Sequence, residues 1–253
     1  MNRKWQYIGL PLLSIAILFT VWEGVSRSGV INPLLFPPPS RVAAALWLMI
    51  RNGTLITDSF VSIWRVLAGV SIGTAAGTAM GLLTGRLTLL DRIVSPVIHL
   101  LRPLPPVAII PLVIVWFGIG DAGKVFSISL AVFFPVWLSA HIGSHDVARE
   151  YVWSAALLTK SSVTVFTRVI FPAALPFIVA GIRTGIATAF VMVFVSELAG
   201  AQSGLGYRIS ITQLAYRVDQ MMAGLVALAL LNAAFDSAFT TAVRRLFPWI
   251  SRT

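Results

Sequence analysis

The chain has 253 residues, of which 57% are hydrophobic and 11% are charged, and its formal net charge is +10. A soluble globular domain carries about 25% charged residues, so this composition excludes a water-soluble fold and indicates a protein solvated mainly by lipid. The basic residues are scattered at the ends of apolar stretches, where they meet anionic headgroups, which argues against a nucleic-acid-binding protein. The absence of cysteine excludes disulfides, thiol catalysis and cysteine-ligated metals.

Six apolar stretches are long enough to cross the hydrocarbon core, which takes about 20 helical residues. They predict an all-α membrane protein with about six transmembrane helices in a single domain, residues 1–253. The stretches are Tyr7–Val25, Val61–Thr84, Val94–Phe117, Val125–His141, Ala173–Leu198 and Met221–Val243. The first would be an anchor span at 7–25, and the others form a core at about 58–245.

The orientation follows from the first span and from the basic residues. No Ala-x-Ala-like site follows the first span, and Glu23 stands where cleavage would occur, which favours an uncleaved anchor. If the N-terminus is cytoplasmic, ten Lys and Arg residues fall on the cytoplasmic side and six on the outer side. This is the bias that the positive-inside rule describes. We therefore expect a multi-pass protein with a cytoplasmic N-terminus.

The second span carries a glycine at every fourth position. In a helix this spacing forms a groove without side chains, so that another backbone can approach closely. Static packing and a sliding surface for a moving helix both fit the pattern. In both cases the span is predicted to pack tightly against a neighbour. The helix-packing residues are Gly69, Gly73, Gly77 and Gly81, and Gly85 continues the series.

The third span is interrupted by prolines around Arg102. Each proline lacks a backbone donor, so the helix is predicted to break or kink there. Non-helical backbone at membrane depth persists only where it is buried in protein or lines an aqueous cavity. Arg102 is therefore a candidate pathway residue, or else an arginine that snorkels to the interface. The prolines are Pro103, Pro105, Pro106 and Pro111.

A polar, helix-patterned segment, residues 146–171, separates the fourth span from the fifth. Its pattern predicts two short helices that form a compact knob on the cytoplasmic face; an amphipathic helix at the membrane interface is the alternative. The residues that define it are Asp146 and Ser161 or Ser162 as caps, Thr159 and Lys160 at the junction, and Pro172 beyond the end.

Several blocks of the chain together resemble a known family. The polar segment closes on RVIFPAALP, and the other blocks are SIWRVLAGVSIG, LLRPLPPVAIIPLVIVWFGIG, FPAALPFIVAGIRTGIATAF, SELAG and SGLGY. In order and spacing, from about residue 35 to the C-terminus, the chain resembles the integral membrane permease subunit of a bacterial type I ABC importer. Within that family it is most similar to the taurine, aliphatic-sulfonate and nitrate permeases.

The loop that contacts the ATPase in this family has a motif: Glu-Ala-Ala, three residues, Gly, nine residues, then Ile-x-Leu-Pro. Two of its residues are lost here, because tryptophan replaces the glutamate and threonine replaces the glycine. The tryptophan suggests a more hydrophobic contact or an adapted partner, and threonine enters a left-handed turn less readily than glycine. Aligned on Phe171 and Pro172, the motif falls on Trp153, Ser154, Ala155, Thr159 and Val169.

The resemblance implies the partners and the mechanism. Two permease subunits pair, as a homodimer in our expectation, and each docks its coupling loop on one of two ABC ATPase subunits in the bacterial inner membrane. The chain itself binds no cofactor, since ATP and magnesium belong to the ATPase. A periplasmic binding protein delivers the solute. The coupling-loop residues carried over are Trp153, Ser154, Ala155, Thr159, Lys160 and Pro172.

The expected solute is a small anion of the sulfonate, taurine or nitrate type; a pyrimidine or vitamin-like solute is the alternative. Arg102, Arg183 and Glu197 are candidate pathway residues, because ionisable groups inside spans are costly and often functional. A guanidinium group matches the oxygens of sulfonate, nitrate or carboxylate. The competing interpretation is that all three are structural and pair with backbone or with one another. Structural or interfacial roles are also expected for Glu23, Arg65 and Asp236.

The sequence does not indicate an enzyme. His99, His141 and His145 are isolated from any nucleophile pattern, no HExxH motif occurs, and no metal site is expected. An ion-coupled secondary transporter would show inverted repeats and paired broken helices. The chain has one predicted break and no visible repeat, so that class is a remote alternative.

Overall fold

The computed structural model describes the backbone of residues 3–249 and the side chains of residues 9–249, and within them every regular element is helical. A 3₁₀ turn, Pro106–Ile109, precedes α5, and a π turn, Phe166–Ile170, joins α8 to α9. The helices are α1 (Arg3–Arg27), α2 (Pro39–Arg51), α3 (Thr54–Arg86), α4 (Thr88–Leu101), α5 (Ile110–Phe117), α6 (Asp121–His145), α7 (Arg149–Leu158), α8 (Ser162–Val165), α9 (Phe171–Leu198), α10 (Leu205–Leu214) and α11 (Val218–Leu246).

The predicted all-α membrane fold with about six spans is confirmed. Helices α1, α3, α6 and α11 and the continuous helix Ser162–Leu198 are each long and apolar enough to cross a membrane. Helix α4 and the segment Pro106–Phe117 form a sixth span that is bent by 85°. The bend follows Arg102, where the missing N–H groups of Pro103 and Pro105 interrupt the helical hydrogen bonds.

Three helices, α3, α6 and α9, form the centre of the bundle. Their shared core contains Val66 from α3, Val132 and Val136 from α6, and Val193 from α9, all fully buried. Helix α11 covers one side of this core with partly buried side chains, whereas α1 packs loosely beside α2 and leaves most of its apolar surface exposed. Burial is therefore concentrated in three helices, and the others present large surfaces to lipid or to further subunits.

The glycines of α3 lie directly against the backbone of α6. A Cβ atom built at Gly73 would stand 2.5 Å from the carbonyl oxygen of Ser129. One built at Gly81 would stand 2.5 Å from the carbonyl oxygen of Trp137 and 2.6 Å from the Cβ of Ala140. Real Cβ atoms do not approach this closely, so the contact between the two helices requires glycine at these positions. Gly69, Gly77 and Gly85 meet α6 in the same way.

Replacing Gly81 with alanine is expected to destabilise the protein. The added methyl group meets backbone atoms of α6 that cannot rotate away, and overpacking of this kind costs about 1–3 kcal/mol. Thermal unfolding of the purified protein in detergent measures the effect. Gly24→Ala is the matched control, because a Cβ at Gly24 has no atom within 4 Å. Equal midpoints for the two variants would contradict the close contact between α3 and α6.

The segment before α9 differs from the sequence prediction. We predicted a separate short helix ending before Pro172, but α8, the π turn and α9 form one helix from Ser162 to Leu198. In the π turn the N–H of Phe171 donates to the carbonyl of Phe166, five residues back. This shift in the hydrogen-bond ladder lets the helix pass Pro172, which has no N–H, without a break.

The predicted caps around α7 are right in one case and wrong in the other. Ser161 caps α8, since its hydroxyl accepts a hydrogen bond from the N–H of Thr164 at 3.3 Å. Asp146 was predicted to cap the first helix of the segment, which is α7. It stands instead at the C-terminal end of α6, and Ala148 is the residue before α7. The reason is that α6 continues to His145, past the predicted end of the fourth span.

Candidate functional site

Helices α7 and α8 form an elbow, residues 149–165, at one end of the bundle. This end, where α6 finishes and the continuous α8–α9 helix begins, is called the α7 end; the opposite end, which carries α10, is called the α10 end. Helix α7 packs mainly against α8 and the π turn, and it contains no fully buried residue. The elbow is therefore attached to the bundle through the base of α9 and is otherwise open to a partner.

The outer surface of the elbow is apolar. Leu157 and Leu158 are 90% and 88% exposed, although leucine is normally buried. Tyr151, Trp153 and Val163 are also exposed around them. A cluster of exposed large apolar side chains at the end of a membrane bundle marks a contact surface for protein or for the membrane interface.

A cavity of about 480 Å³ separates the elbow from the bundle. Its lining is mostly apolar and includes Val152 and Ala156 from α7 and Phe166 and Ile170 from the π turn. Arg86, at the end of α3, borders the same space and donates a hydrogen bond to the carbonyl of Ser144 at 3.4 Å. This space is not filled by side chains, so the elbow does not pack closely against the end of α3.

The coupling-loop residues carried over from the family lie along the elbow, except Pro172. Trp153 and Ser154 are exposed on α7, Ala155 is half-buried, and Lys160 is exposed in the turn. Thr159 has φ −152° and ψ 141°, an extended conformation open to any residue, so the predicted difficulty with a left-handed turn does not arise. Pro172 lies outside the elbow, in the first turn of α9.

Arg183 forms a two-point ion pair with Asp236 of α11. Its Nε and Nη2 atoms donate to the two carboxylate oxygens at 2.7 Å and 2.8 Å. Arg183 lies twelve residues into α9, about 18 Å along the helix, and Asp236 lies ten residues, about 15 Å, from the end of α11. The pair is thus near mid-depth in both spans, yet the two side chains are 59% and 36% exposed.

Glu197 is held in a buried polar network at the α10 end. Its side chain is inaccessible to solvent and accepts hydrogen bonds from the Ser62 hydroxyl at 2.9 Å, from Nη1 of Arg65 at 2.8 Å and from the N–H of Gly206 at 2.8 Å. Gly204 has φ +113°, and a Cβ there would overlap the Glu197 carboxylate. Glycine is therefore required at position 204 both for its backbone conformation and for space.

Arg65 connects this network to the start of α6. Its Nε and Nη2 atoms donate to Asp121 at 2.8 Å and 2.6 Å, and Nη1 also donates to the carbonyl of Ser203. Beside it, Asp58 accepts from the N–H of Gly204 and from Arg208 at 2.7 Å. These bonds tie α3, α6, α9 and α10 together at one end of the bundle, which makes the α10 end a rigid polar lock.

The sequence profile of a family described as the binding-protein-dependent transport system inner membrane component matches residues 69–252. This covers most of the chain, from the middle of α3 through the elbow to the C-terminal region. The chain belongs to this family. It is the permease subunit of a type I ABC importer.

Relatives match the permease over almost its whole length. A probable ABC transporter permease protein of Brucella abortus is 35% identical over 252 residues, all of this chain and all of the relative. The taurine transport system permease protein TauC of Escherichia coli is 31% identical over 256 residues, covering 97% of this chain and 93% of that protein. Both relatives are named as transporter subunits rather than as enzymes.

A solved structure shows the same fold. The MetNI methionine ABC transporter in an inward-facing conformation contains a chain that matches 80% of the permease with a TM-score of 0.60 and 20% identity, covering 97% of that chain. At this level of identity the likeness concerns the arrangement of the helices.

The permease does not bring its three predicted pathway residues together. Glu197 lies fourteen residues beyond Arg183 on α9, about 21 Å along the helix. Arg102 stands exposed at the bend after α4, and within residues 9–249 its side chain makes no hydrogen bond or ion pair. The buried contacts of Glu197 fit the structural interpretation that we gave as the alternative, and its role in the pathway, like those of Arg102 and Arg183, stays a prediction.

Sequence reasoning missed the partners in the polar lock of the permease. Arg65 was expected to be a structural residue near a span end, but its ion pairs with Asp121 and Glu197 were not foreseen. The available signal was that Asp58, Asp121 and Glu197 all fall at the same predicted end of their spans as Arg65. Among the side chains that the structure describes, no group of three or more His, Asp or Glu residues could hold a metal ion.

Proposed function

We propose that the permease forms the translocation pathway of an ATP-driven importer for a small anionic solute of the sulfonate or taurine type. The observation that carries this proposal is the elbow: an exposed apolar surface joined by one unbroken helix to the mid-span pair of Arg183 and Asp236. No ATP or magnesium is bound by this chain; both act in separate ATPase subunits, which dock on the elbow.

The elbow transmits force through the α8–α9 helix. When two ATPase subunits close on ATP, a push on the exposed leucines moves the start of this helix, and the cavity behind α7 leaves room for the movement. Arg183 moves with the helix because no break separates it from the elbow. The polar lock at the α10 end holds the far end of α9 in place, so the motion is a tilt about that end.

A second permease subunit completes the pathway. A charged pair at mid-depth cannot face lipid at low cost, and such pairs face the interior of a bundle or a water-filled cavity. In the single chain, Arg183 and Asp236 are on the surface. A homodimer that joins the α9 and α11 faces of two copies would enclose them, and the pathway would run between the copies.

In the proposed orientation of the permease the elbow lies in the cytoplasm. The N-terminus is then also cytoplasmic, in agreement with the excess of Lys and Arg residues on that side. The α10 end faces the periplasm, where a binding protein delivers the solute. The 31% sequence identity with the taurine permease supports an anionic sulfonate as the cargo. Nitrate is also an oxyanion that a guanidinium group can bind.

Reconstituted transport tests this function. The permease, its ATPase and its binding protein are placed in proteoliposomes, and uptake of labelled taurine is followed with ATP and with a non-hydrolysable analogue. We expect uptake only with hydrolysable ATP and all three components, and no ATP hydrolysis by the permease alone. Accumulation of solute by the permease alone on an ion gradient would overturn the proposal, and ATP-driven uptake of a neutral vitamin would overturn the anionic cargo.

A further inference from the structure

An open cavity of about 490 Å³ lies between α9 and α11. It extends from Arg183, near mid-depth, to Arg244 and Phe247 at the end of α11, which is at the α7 end of the bundle. Phe239 and Thr240 also line it. Its volume falls within the range of roughly 300–1,000 Å³ that is typical of small-molecule sites, and its wall combines aromatic and basic groups.

Two guanidinium groups line the cavity, and only that of Arg183 has a carboxylate partner within residues 9–249. The charge of Arg183 is balanced by the carboxylate of Asp236, with which it makes two hydrogen bonds. Arg244, in contrast, makes no hydrogen bond or ion pair in the part of the chain that the structure describes. A guanidinium group presents several donors in a planar fork that suits oxyanions. Among the described residues, Arg244 therefore has donors available for a negatively charged group in this cavity.

Thr240 is a second donor without a partner. Its hydroxyl oxygen is buried, and it has no hydrogen-bond partner among the described side chains and backbone. The adjacent Thr241 shows what a helical threonine usually does, since its hydroxyl donates to the carbonyl of Ser237 at 2.8 Å. A buried hydroxyl without a partner is destabilising, and since Thr240 lines the cavity, a ligand held there could satisfy it.

We propose that the α9–α11 cavity binds a single oxyanion group, a sulfonate or carboxylate, between Arg244 and Thr240. Phe239 and Phe247 contact the carbon skeleton that carries this group. The site rests on the proposed function, in which a solute leaves the pathway at the α7 end. The same oxyanion chemistry is present in the headgroup of an anionic lipid, and the test separates these two sources.

Binding is measured on the full-length permease in nanodiscs of phosphatidylcholine, without ATP. Equilibrium dialysis with radiolabelled taurine and butanesulfonate gives the affinity. We expect Arg244→Gln to weaken binding at least about tenfold, since hydrogen bonds to charged groups contribute about 1.5–3 kcal/mol, and Thr240→Val to weaken it several-fold. Arg245→Gln and Thr241→Val are the matched controls, because these neighbours do not line the cavity, and both should bind like the unmodified protein.

The second arm uses nanodiscs that contain phosphatidylglycerol, with retained lipid counted by native mass spectrometry. If phosphatidylglycerol is retained in an Arg244- and Thr240-dependent way and neither solute binds, the oxyanion belongs to lipid. Binding of solute that depends on the same two residues assigns it to cargo. The proposal is overturned if neither ligand binds, or if Arg244→Gln and Thr240→Val behave like their controls.

Transport by the same preparations separates failure of this site from failure of the proposed function. Solute binding that depends on Arg244, without any ATP-driven uptake, would leave the oxyanion site standing and remove the importer function. Normal uptake by the unmodified importer, together with unchanged solute and lipid binding in Arg244→Gln, would support the importer function and rule out the oxyanion site.

Discussion

Replacing Leu157 with aspartate is expected to detach the ATPase subunits from the permease. Leu157 is 90% exposed on the elbow, so the change leaves the fold of the permease intact. In the proposed complex the same side chain is buried against the ATPase, and a charge there must be desolvated without a partner. Loss of a central contact residue costs about 2 kcal/mol or more. Co-purification of the ATPase and ATP-driven uptake should both fall by at least about tenfold.

Leu214→Asp is the matched control for this variant. Leu214 is also highly exposed, at 77%, but it lies on α10 at the opposite end of the bundle. It should retain the ATPase at the level of the unmodified permease. Normal ATPase retention and ATP hydrolysis by the Leu157 variant, or equal loss of the ATPase from both variants, would contradict docking at the elbow.

Arg65→Met is expected to give the largest loss of stability of any single change in the polar lock. The Arg65 side chain is 4% exposed, and its removal leaves the fully buried carboxylate of Glu197 without its cation. Breaking a buried ion pair in this way costs about 3–5 kcal/mol. Denaturant titration in detergent measures the lost free energy of unfolding, and the thermal unfolding midpoint should fall with it.

Two further variants define the cause of that loss. Arg27→Met removes the cation of an exposed ion pair, with Arg27 67% exposed, and should lower the stability far less, since solvent screens such pairs. Adding Glu197→Gln to Arg65→Met should recover part of the lost stability, because the neutral amide no longer needs a cation and can still bond Ser62. Similar midpoints for Arg65→Met and Arg27→Met would show that the lock contributes little.

The sequence predicts the helices well because their signals are local. About 20 apolar residues in a row indicate a span, and clustered prolines after Arg102 indicate a break, whatever the rest of the fold does. The glycine spacing in α3 likewise indicates a close helix neighbour, although it cannot name α6 as that neighbour. Span ends are harder to predict: α6 extends beyond its apolar stretch at both ends by mostly polar residues, and α9 continues backwards through the π turn into α8.

The site could be predicted only in part, because the partners of charged residues are set by tertiary contacts. Arg183 stood out as a charge inside a span, but nothing local connects it to Asp236, 53 residues later. Glu197 stood out for the same reason, but nothing local in the sequence indicates its ion pair with Arg65. The elbow was predicted from its polarity, whereas the π turn that makes α8 continuous with α9 has no signal other than Pro172.

Cross-linking at the elbow tests the central claim most directly. The chain has no native cysteine, so Ser154→Cys and Ser71→Cys each present a single thiol, the first on α7 and the second on the exposed face of α3 within a span. A short thiol-reactive photo-cross-linker is attached in membranes that contain the assembled importer. We expect an adduct with the ATPase subunit from position 154 and none from position 71. An elbow that cross-links only to lipid, while the importer still hydrolyses ATP, would contradict the account.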